Sequence, residues 1–205
     1  MSGTYGSLLI LAGGLGLRMG ENKLFLQIDG EFLIAKIFSR LSPLFDETLL
    51  LAAKGAGFDA ERRLSPLLER YGVRVVEDRA EGRGPLEGLC RSLASMRCEH
   101  GFLIGCDMPC VDTALLSAMS RICCGADVVT AEINGYLEPL HAFYGRRALP
   151  FAEAALERGR GLKSFYKDVR LAVLSERELA SITPGYKRSF TNLNTPRDFA
   201  RMSAS

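Results

Sequence analysis

The chain has 205 residues, 47% of them hydrophobic and 24% charged, with a formal net charge of +2. Such a length and balance describe a globular protein able to bury a sizeable core. They exclude a general nucleic-acid or membrane-surface role, which needs a strongly basic face. No apolar run approaches the roughly eighteen residues of a membrane span, so a soluble, cytoplasmic protein is expected.

Ser7 to Ala12 reads as a buried strand. It breaks into Gly13-Gly14-Leu15-Gly16-Leu17-Arg18-Met19-Gly20-Glu21-Asn22-Lys23, a loop with four glycines. Glycines let backbone N–H groups close on an anion, since no Cβ intervenes. Arg18 and Lys23 add fixed positive charge. Together they predict a phosphate cradle after the first strand. The loop lacks the Gly-Lys-Ser/Thr of the ATPase phosphate loop. It also lacks the third glycine of the dinucleotide fingerprint, where Met19 stands.

Phe25 to Phe32 carries an Asp29-Gly30 turn. Leu33, Ile34, Ile37, Phe38 and Leu41 recur at helical spacing, and Pro43 stops that helix. A strand from Glu47 to Ala53, a helix from Asp59 to Tyr71 and a strand from Val73 to Val76 follow. The polar run Glu77 to Gly84 leads into a helix from Pro85 to Met96, whose free N–H groups suit an anion or a ring carbonyl. Phe102 to Gly105 is a strand that ends at Cys106-Asp107-Met108-Pro109, and Asp112 caps a helix from Thr113 to Ile122. A strand from Asp127 to Ile133 meets the Asn134-Gly135 hairpin turn and returns as Leu140 to Tyr144. Helices over Arg147 to Arg158 and Leu162 to Tyr166 come next, then a strand from Arg170 to Leu174 and a Ser175/Glu178 capping box. Phe190 to Asn192 is extended, and Thr195-Pro196 opens a last helix.

Strands alternating with helices predict an α/β fold: a single domain of three α/β/α layers, Rossmann-like, around a mixed, mainly parallel sheet. The hairpin divides a nucleotide-binding half, residues 1–132, from an acceptor-binding half, residues 133–205. Ligands in such sheets sit at the carboxyl ends of strands. The glycine loop, Asp78 and Asp107 all fall there. A carboxylate directly after an apolar strand is a usual place for Mg²⁺ bridging nucleotide phosphates, and a helix cap or turn is the plainer reading of Asp107. Six cysteines (Cys90, Cys98, Cys106, Cys110, Cys123 and Cys124) form no C-x-x-C pair. Buried reduced thiols are the simpler reading of them, against a metal site that stoichiometric zinc would reveal.

Leu11-Ala12-Gly13-Gly14-x-x-x-Arg18-Met19-Gly20-x-x-Lys23 resembles the signature loop of nucleotidyltransferases that activate sugar phosphates and the molybdenum cofactor. Arg-Met-Gly followed closely by lysine is most like molybdenum cofactor guanylyltransferase. Four further stretches resemble that family in the expected order. They are Asp78 with Gly84-Pro85-Leu86-x-Gly88, Cys106-Asp107-x-Pro109, Pro139-Leu140-x-Ala142-x-Tyr144 and Asn192-x-Asn194-Thr195-Pro196. The chain departs from the pattern with Asn22 where an aspartate is usual, and with Ala53-Lys54 where an asparagine reaches the nucleotide.

The resemblance implies a nucleotide-diphospho-sugar transferase type of fold and transfer of GMP from GTP to the terminal phosphate of molybdenum-loaded molybdopterin. The products would be a guanine dinucleotide cofactor and pyrophosphate. It implies Arg18, Lys23 and Asp107 as catalytic residues, and Leu11, Ala12, Gly13, Gly14, Lys23, Asp78, Gly84 and Asp107 as nucleotide-binding residues. It implies Asp107 and Asn194 as Mg²⁺ ligands, and His141, Lys163, Asn192 and Asn194 toward the acceptor. Alternatives stay open for several of these. Asp78 also reads as a solvated loop carboxylate, and backbone carbonyls near Leu11 to Gly13 could read the base as well as it does. His141 also reads as a satisfied core histidine, Asn194 as a helix cap, and Lys163 with Arg158 and Arg160 as exposed charge. Molybdenum-cofactor-handling proteins are the implied partners, with no nucleic acid and no membrane. CTP or ATP as donor, a sugar phosphate as acceptor, and a non-catalytic cofactor carrier are the competing readings.

Overall fold

The computed structural model describes residues 5–12, 25, 27–28, 30–55, 57–79 and 84–193. Its centre is β1 (Ser7–Leu11), in which Leu8, Leu9 and Ile10 have no exposed surface. Strand β1 is hydrogen-bonded in parallel to β4 (Glu47–Ala52) on one side and β6 (His100–Gly105) on the other. Beyond β4 lies β5 (Val73–Glu77), also parallel. Beyond β6 lies β9 (His141–Gly145), which is antiparallel, followed by β7 (Val128–Ile133) and the edge strand β10 (Leu171–Leu174). The order β5-β4-β1-β6-β9-β7-β10 thus runs parallel except at β9, as a mixed, mainly parallel sheet.

Alternation along β1 builds the two faces. Leu8 and Ile10 join Ile34, Ile37, Phe38 and Leu41 of α1 (Leu33–Leu41) and Leu115, Leu116 and Met119 of α4 (Thr113–Ser120) in one apolar cluster. The same cluster takes Leu64 of α2 (Gly57–Tyr71) and Leu179 of α6 (Glu176–Ile182). Leu9 and Leu11 face the other way. They meet Leu86, Leu89 and Leu93 of α3 (Gly84–Ser95), in a cluster that continues to Ala152 and Ala155 of α5 (Leu149–Glu157). A sheet covered on both sides explains why its strands are apolar throughout rather than alternating.

Most predicted elements stand within a residue or two of their expected bounds, and Asp112 and the Ser175/Glu178 box cap their helices. Gln27–Ile28 (β2) and Glu31–Phe32 (β3) pair around the expected turn, though Asp29 itself lies outside the described residues, as does the helix expected after Thr195. Asn134 and Gly135 both have positive φ, 51° and 79°, which a tight hairpin requires. That turn brings a short strand the sequence did not announce, β8 (Tyr136–Leu137), against β7. Helix α4 stops at Ser120 rather than Ile122 because the chain tightens into i−3 bonds from Ile122 to Met119 and from Gly125 to Ile122. The helix expected at Leu162 to Tyr166 is instead a series of such turns, closing in a 3₁₀ turn at Tyr166–Asp168. Phe190, expected to be extended, ends a 3₁₀ turn at Tyr186–Phe190.

Candidate active site

Where α/β strands part to opposite sides, their carboxyl ends leave a crevice. Here that point lies between β1 and β6, since the chain goes from β1 to β4 and β5 and then crosses to β6. Hydrogen bonds extend the pairing past the strand ends. Ala12 N–H donates to Leu51 O at 2.9 Å, Cys106 N–H to Leu11 O at 2.9 Å, and Asp78 N–H to Ala52 O at 3.0 Å. The segments bearing Ala12, Asp78 and Asp107 therefore leave one rim together.

Asp107 lies in a turn closed by Met108 N–H donating to Gly105 O at 3.1 Å, and is half-buried between the buried Cys106 and Met108. A Cβ on Gly105 would stand 2.5 Å from Asp107 Oδ1, so only glycine lets the carboxylate fold back over the strand end. Asp107 O accepts the Leu193 N–H at 2.8 Å, which brings the exposed Asn192 beside the same turn. The resemblance placed Asn192 and Asp107 in one site, and the backbone does join their segments.

Asp78 opens the loop after β5. One of its carboxylate oxygens, Oδ1, is buried and has no hydrogen-bond partner among the described residues. Burial pushes its carboxyl up to about 6, helped by Glu87 and Glu77 and opposed by Arg91. Helix α3 comes close there because of Gly88: a Cβ at that position would sit 2.4 Å from Leu11 Cδ2 and 3.8 Å from Asp78 Oδ1. Gly84, with φ of 70°, makes the turn into α3. Leu11 and Ala12 are buried, and the Leu11 carbonyl accepts the Cys106 N–H. Lys54 sits exposed in the turn after β4.

His141 does not face a cleft. It has no exposed surface, and its ring packs edge-on against Phe102 at 5.0 Å and at a tilt against Phe190 at 4.3 Å. Its Nε2 lies 2.8 Å from Ser189 Oγ, which also accepts the Asp112 N–H at 2.9 Å. Burial holds the imidazole neutral, with its pKa down at about 4. The expectation that His141 contacts the acceptor is corrected here: its position at the start of β9, opposite Ile104, turns it into the core. Lys163 is exposed and reaches the Leu137 carbonyl at 3.4 Å. Arg158 and Arg160 instead line a cavity of about 320 Å³ with Ser164 and Lys167 beside α5.

Gly13, Gly14, Arg18 and Lys23 of the glycine loop, and Asn194, lie outside the described residues. Glu87 is a residue that sequence reasoning missed. It is only 2% exposed, and its Oε1 accepts the Arg79 N–H at 3.1 Å. The available signal was a carboxylate in the first turn of α3, flanked by Leu86, Gly88 and Leu89. No disulfide joins the six cysteines. Cys90, Cys106 and Cys123 are buried, and burial pushes the Cys123 thiol up to about 12. No group of three His, Cys, Asp or Glu side chains able to hold a metal occurs among the described residues. No helix among them is long and apolar enough to cross a membrane.

A second cavity, about 230 Å³, opens among Glu99, His100, Cys123, Asp127 and Arg146, at the amino ends of β6 and β7. Two of its three arginines are hydrogen-bonded into the structure. Arg146 caps the Met96 and Cys98 carbonyls, and Arg170 grips Asp127 with bonds of 2.9 and 3.2 Å.

The sequence matches the model of a MobA-like NTP transferase domain over residues 8–175. The chain belongs to the MobA-like NTP transferase family. It is 32% identical to a probable molybdenum cofactor guanylyltransferase of Methanosarcina acetivorans, over 97% of this chain and 90% of that one. It is 30% identical to the molybdenum cofactor guanylyltransferase of Syntrophotalea carbinolica, over 96% and 90%. Among solved structures, molybdopterin-guanine dinucleotide biosynthesis protein A from Archaeoglobus fulgidus superposes with a TM-score of 0.75 at 25% identity, covering 95% of each chain. This MobA-like chain is a nucleotidyltransferase, and the parallel order about β1 is the frame its relatives share.

Proposed function

We infer that this chain transfers GMP from GTP to the terminal phosphate of molybdenum-loaded molybdopterin. The observation that carries the reading is the delivery of Asp78 and Asp107 to one rim, on either side of the end of β1. It does so in a chain 32% and 30% identical to two proteins named as guanylyltransferases, each matched over 90% of its own length.

A terminal phosphate monoester is already anionic at neutral pH, so no protein base need activate it. One of its oxygens attacks the α-phosphorus of GTP in line. A new P–O bond forms, the bond from the α-phosphorus to its bridging oxygen breaks, and pyrophosphate leaves with that electron pair. Bringing two polyanions together is much of the work. Arg18 and Lys23 are the side chains proposed to neutralise the developing phosphate charge.

Asp107 fits a divalent cation. It is half-buried yet reachable, stands directly after an apolar strand, and folds over a glycine that leaves it room. Magnesium is commonly held by one or two carboxylates with substrate phosphates completing its shell, so a lone protein carboxylate among the described residues is compatible with it. Asp107 and Asn194 are the residues that would hold Mg²⁺, which would supply charge neutralisation at the phosphates. Asp78, Gly84 and the backbone from Leu11 to Gly14 are assigned to the nucleotide, within a nucleotide half of residues 1–132. Lys163, Asn192 and Asn194 are assigned to the acceptor, within residues 133–205. A protein that hands over molybdopterin is the proposed partner.

The test is pyrophosphate release with GTP, CTP, ATP and a sugar phosphate or molybdopterin as acceptor. GTP with molybdopterin should be preferred. A clear preference for CTP, or no nucleotide consumption with any acceptor, overturns the reading.

A further inference from the structure

Glu87 is the only carboxylate among the buried residues of the described chain. Burying a charge is costly unless it is bonded, so its position calls for a reason. It occupies the slot between Leu86 and Gly88 that the family-like Gly-Pro-Leu-x-Gly stretch leaves open. Its Oε1 accepts the N–H of Arg79, the residue after Asp78, at 3.1 Å. The Asp78 N–H in turn donates to Ala52 O at 3.0 Å. Asp78 is thus held at its two flanking peptide N–H groups, one by the sheet and one by Glu87. Its buried Oδ1 has no partner among the described residues and lies beside the space kept clear by Gly88.

We propose that Glu87 is a positioning residue for base recognition, presenting Asp78 to the N–H donors of a guanine edge and discriminating against bases that offer acceptors there. The inference rests on the reading that the nucleotide base lies over the end of β5. Guanine presents N1–H and N2–H₂ to a carboxylate. Adenine and cytosine present a ring-nitrogen acceptor at the corresponding position, which leaves the carboxylate unpaired. A second carboxylate behind the first sharpens this difference. It makes ionised Asp78 costly in the empty site, and only a donor-bearing base relieves that cost. The charged groups facing Asp78 are Glu77 on its own strand and Glu87 and Arg91 on α3, with Arg91 Nε bonded to Glu77 O at 3.1 Å.

The sign of the pH effect follows. The Asp78 carboxyl titrates near 6 rather than 3.8. Below that value the empty site is protonated, and binding guanine requires loss of the proton, so affinity for GTP falls as the pH falls. Removing the charge of Glu87 lowers the Asp78 pKa and moves this loss to more acid solution.

The experiment compares wild type with Glu87→Gln, which keeps an acceptor for Arg79, and Asp78→Asn, in the full chain. KM and kcat are measured for GTP and ATP between about pH 5 and 8. The γ-phosphates titrate identically for every variant, so the ratio of variant to wild type is the readout. For Glu87→Gln, the GTP/ATP preference at neutral pH should fall about fivefold, the acid loss of GTP affinity should shift by half a pH unit or more, and kcat should stay within about twofold. An unmoved acid limb and unchanged preference in Glu87→Gln, with GTP affinity reduced in Asp78→Asn, overturn the role of Glu87 alone. Undiminished GTP affinity in Asp78→Asn removes the base from this rim, and the underlying placement of the nucleotide falls with the proposal.

Discussion

The two halves of the sheet treat their polar residues differently. On the side of β1, β4, β5 and β6, each parallel strand ends at the same rim, and after β1, β5 and β6 the next residue donates its backbone N–H to a neighbouring strand. Asp78 and Asp107 emerge there half-buried, and one Asp78 oxygen has nothing to bond among the described residues. On the side of β7, β9 and β10, two fully buried polar side chains, His141 and Tyr144, are enclosed by structure. His141 closes a bond to Ser189, which ties the 3₁₀ turn at Tyr186–Phe190 to the N-cap of α4. The Tyr144 hydroxyl donates to Pro139 O at 2.9 Å and shares a bond with Tyr166. The antiparallel strand β9 runs the other way, so its first residue, His141, pairs near the carboxyl end of β6, where it is fully buried. Buried polar groups bonded to one another rigidify a fold, whereas an unbonded carboxylate oxygen at a rim is free to meet a ligand. His141 Nδ1 is also without a partner among the described residues, but it is enclosed in the core and meets no ligand there.

The sharpest way to break this comparison is at Asp107. Replacement by alanine should lower turnover by roughly 10²–10³ in a GTP-dependent assay while the thermal midpoint stays close to wild type, as expected when a charge-stabilising group is lost. Wild-type turnover would sink its role. Next in size is His141→Ala. A large fully buried side chain is lost, so stability should drop by about 2–4 kcal/mol in urea denaturation, with KM for the acceptor unchanged in the folded fraction. A raised acceptor KM at intact stability would restore His141 to the acceptor site.

The same histidine makes a pH prediction. Its folded pKa is about 4 against 6.5 when unfolded, so the unfolded chain binds the extra proton between those values. Its contribution is present above pH 6.5 and is lost as the pH falls toward 4, by about 3 kcal/mol at most. In His141→Phe that part of the acid destabilisation should vanish. Gly88→Ala should cost about 1–3 kcal/mol and raise KM for GTP, because the new methyl lands on Leu11 beside Asp78. The smallest effect is expected at exposed Lys163. Its replacement by alanine should leave stability within about 0.5 kcal/mol and raise only the acceptor KM.

Much of this was legible in the residues. The apolar runs at Leu8, Leu49 and Phe102, each followed by glycine or a polar residue, announced buried parallel strands whose ends matter. The hairpin at Asn134-Gly135 and the caps at Asp112 and Ser175 were readable because turn and cap chemistry is local. Asp78 and Asp107 could be named for the same reason: each stands within two residues of the end of a strand. The faces of single residues in the second half were less legible. His141 sits in a strand pattern that permits either side, and the choice belongs to Phe102, Phe190 and Ser189, the last two almost fifty residues away. Glu87 looked like an ordinary helix-start acid, and its burial follows only from the approach of α3 to β1 that Gly88 allows.

The sequence by itself determined the alternation of strands and helices, the rim at which their polar ends gather, and the family to which the pattern points. These rest on local periodicity and on residue types that act within a few positions of themselves. Tertiary structure alone decided which polar groups would be left open and which closed off. That outcome depends on partners distant in the chain, because a buried side chain is satisfied or orphaned by whatever the packed neighbours bring within hydrogen-bond reach.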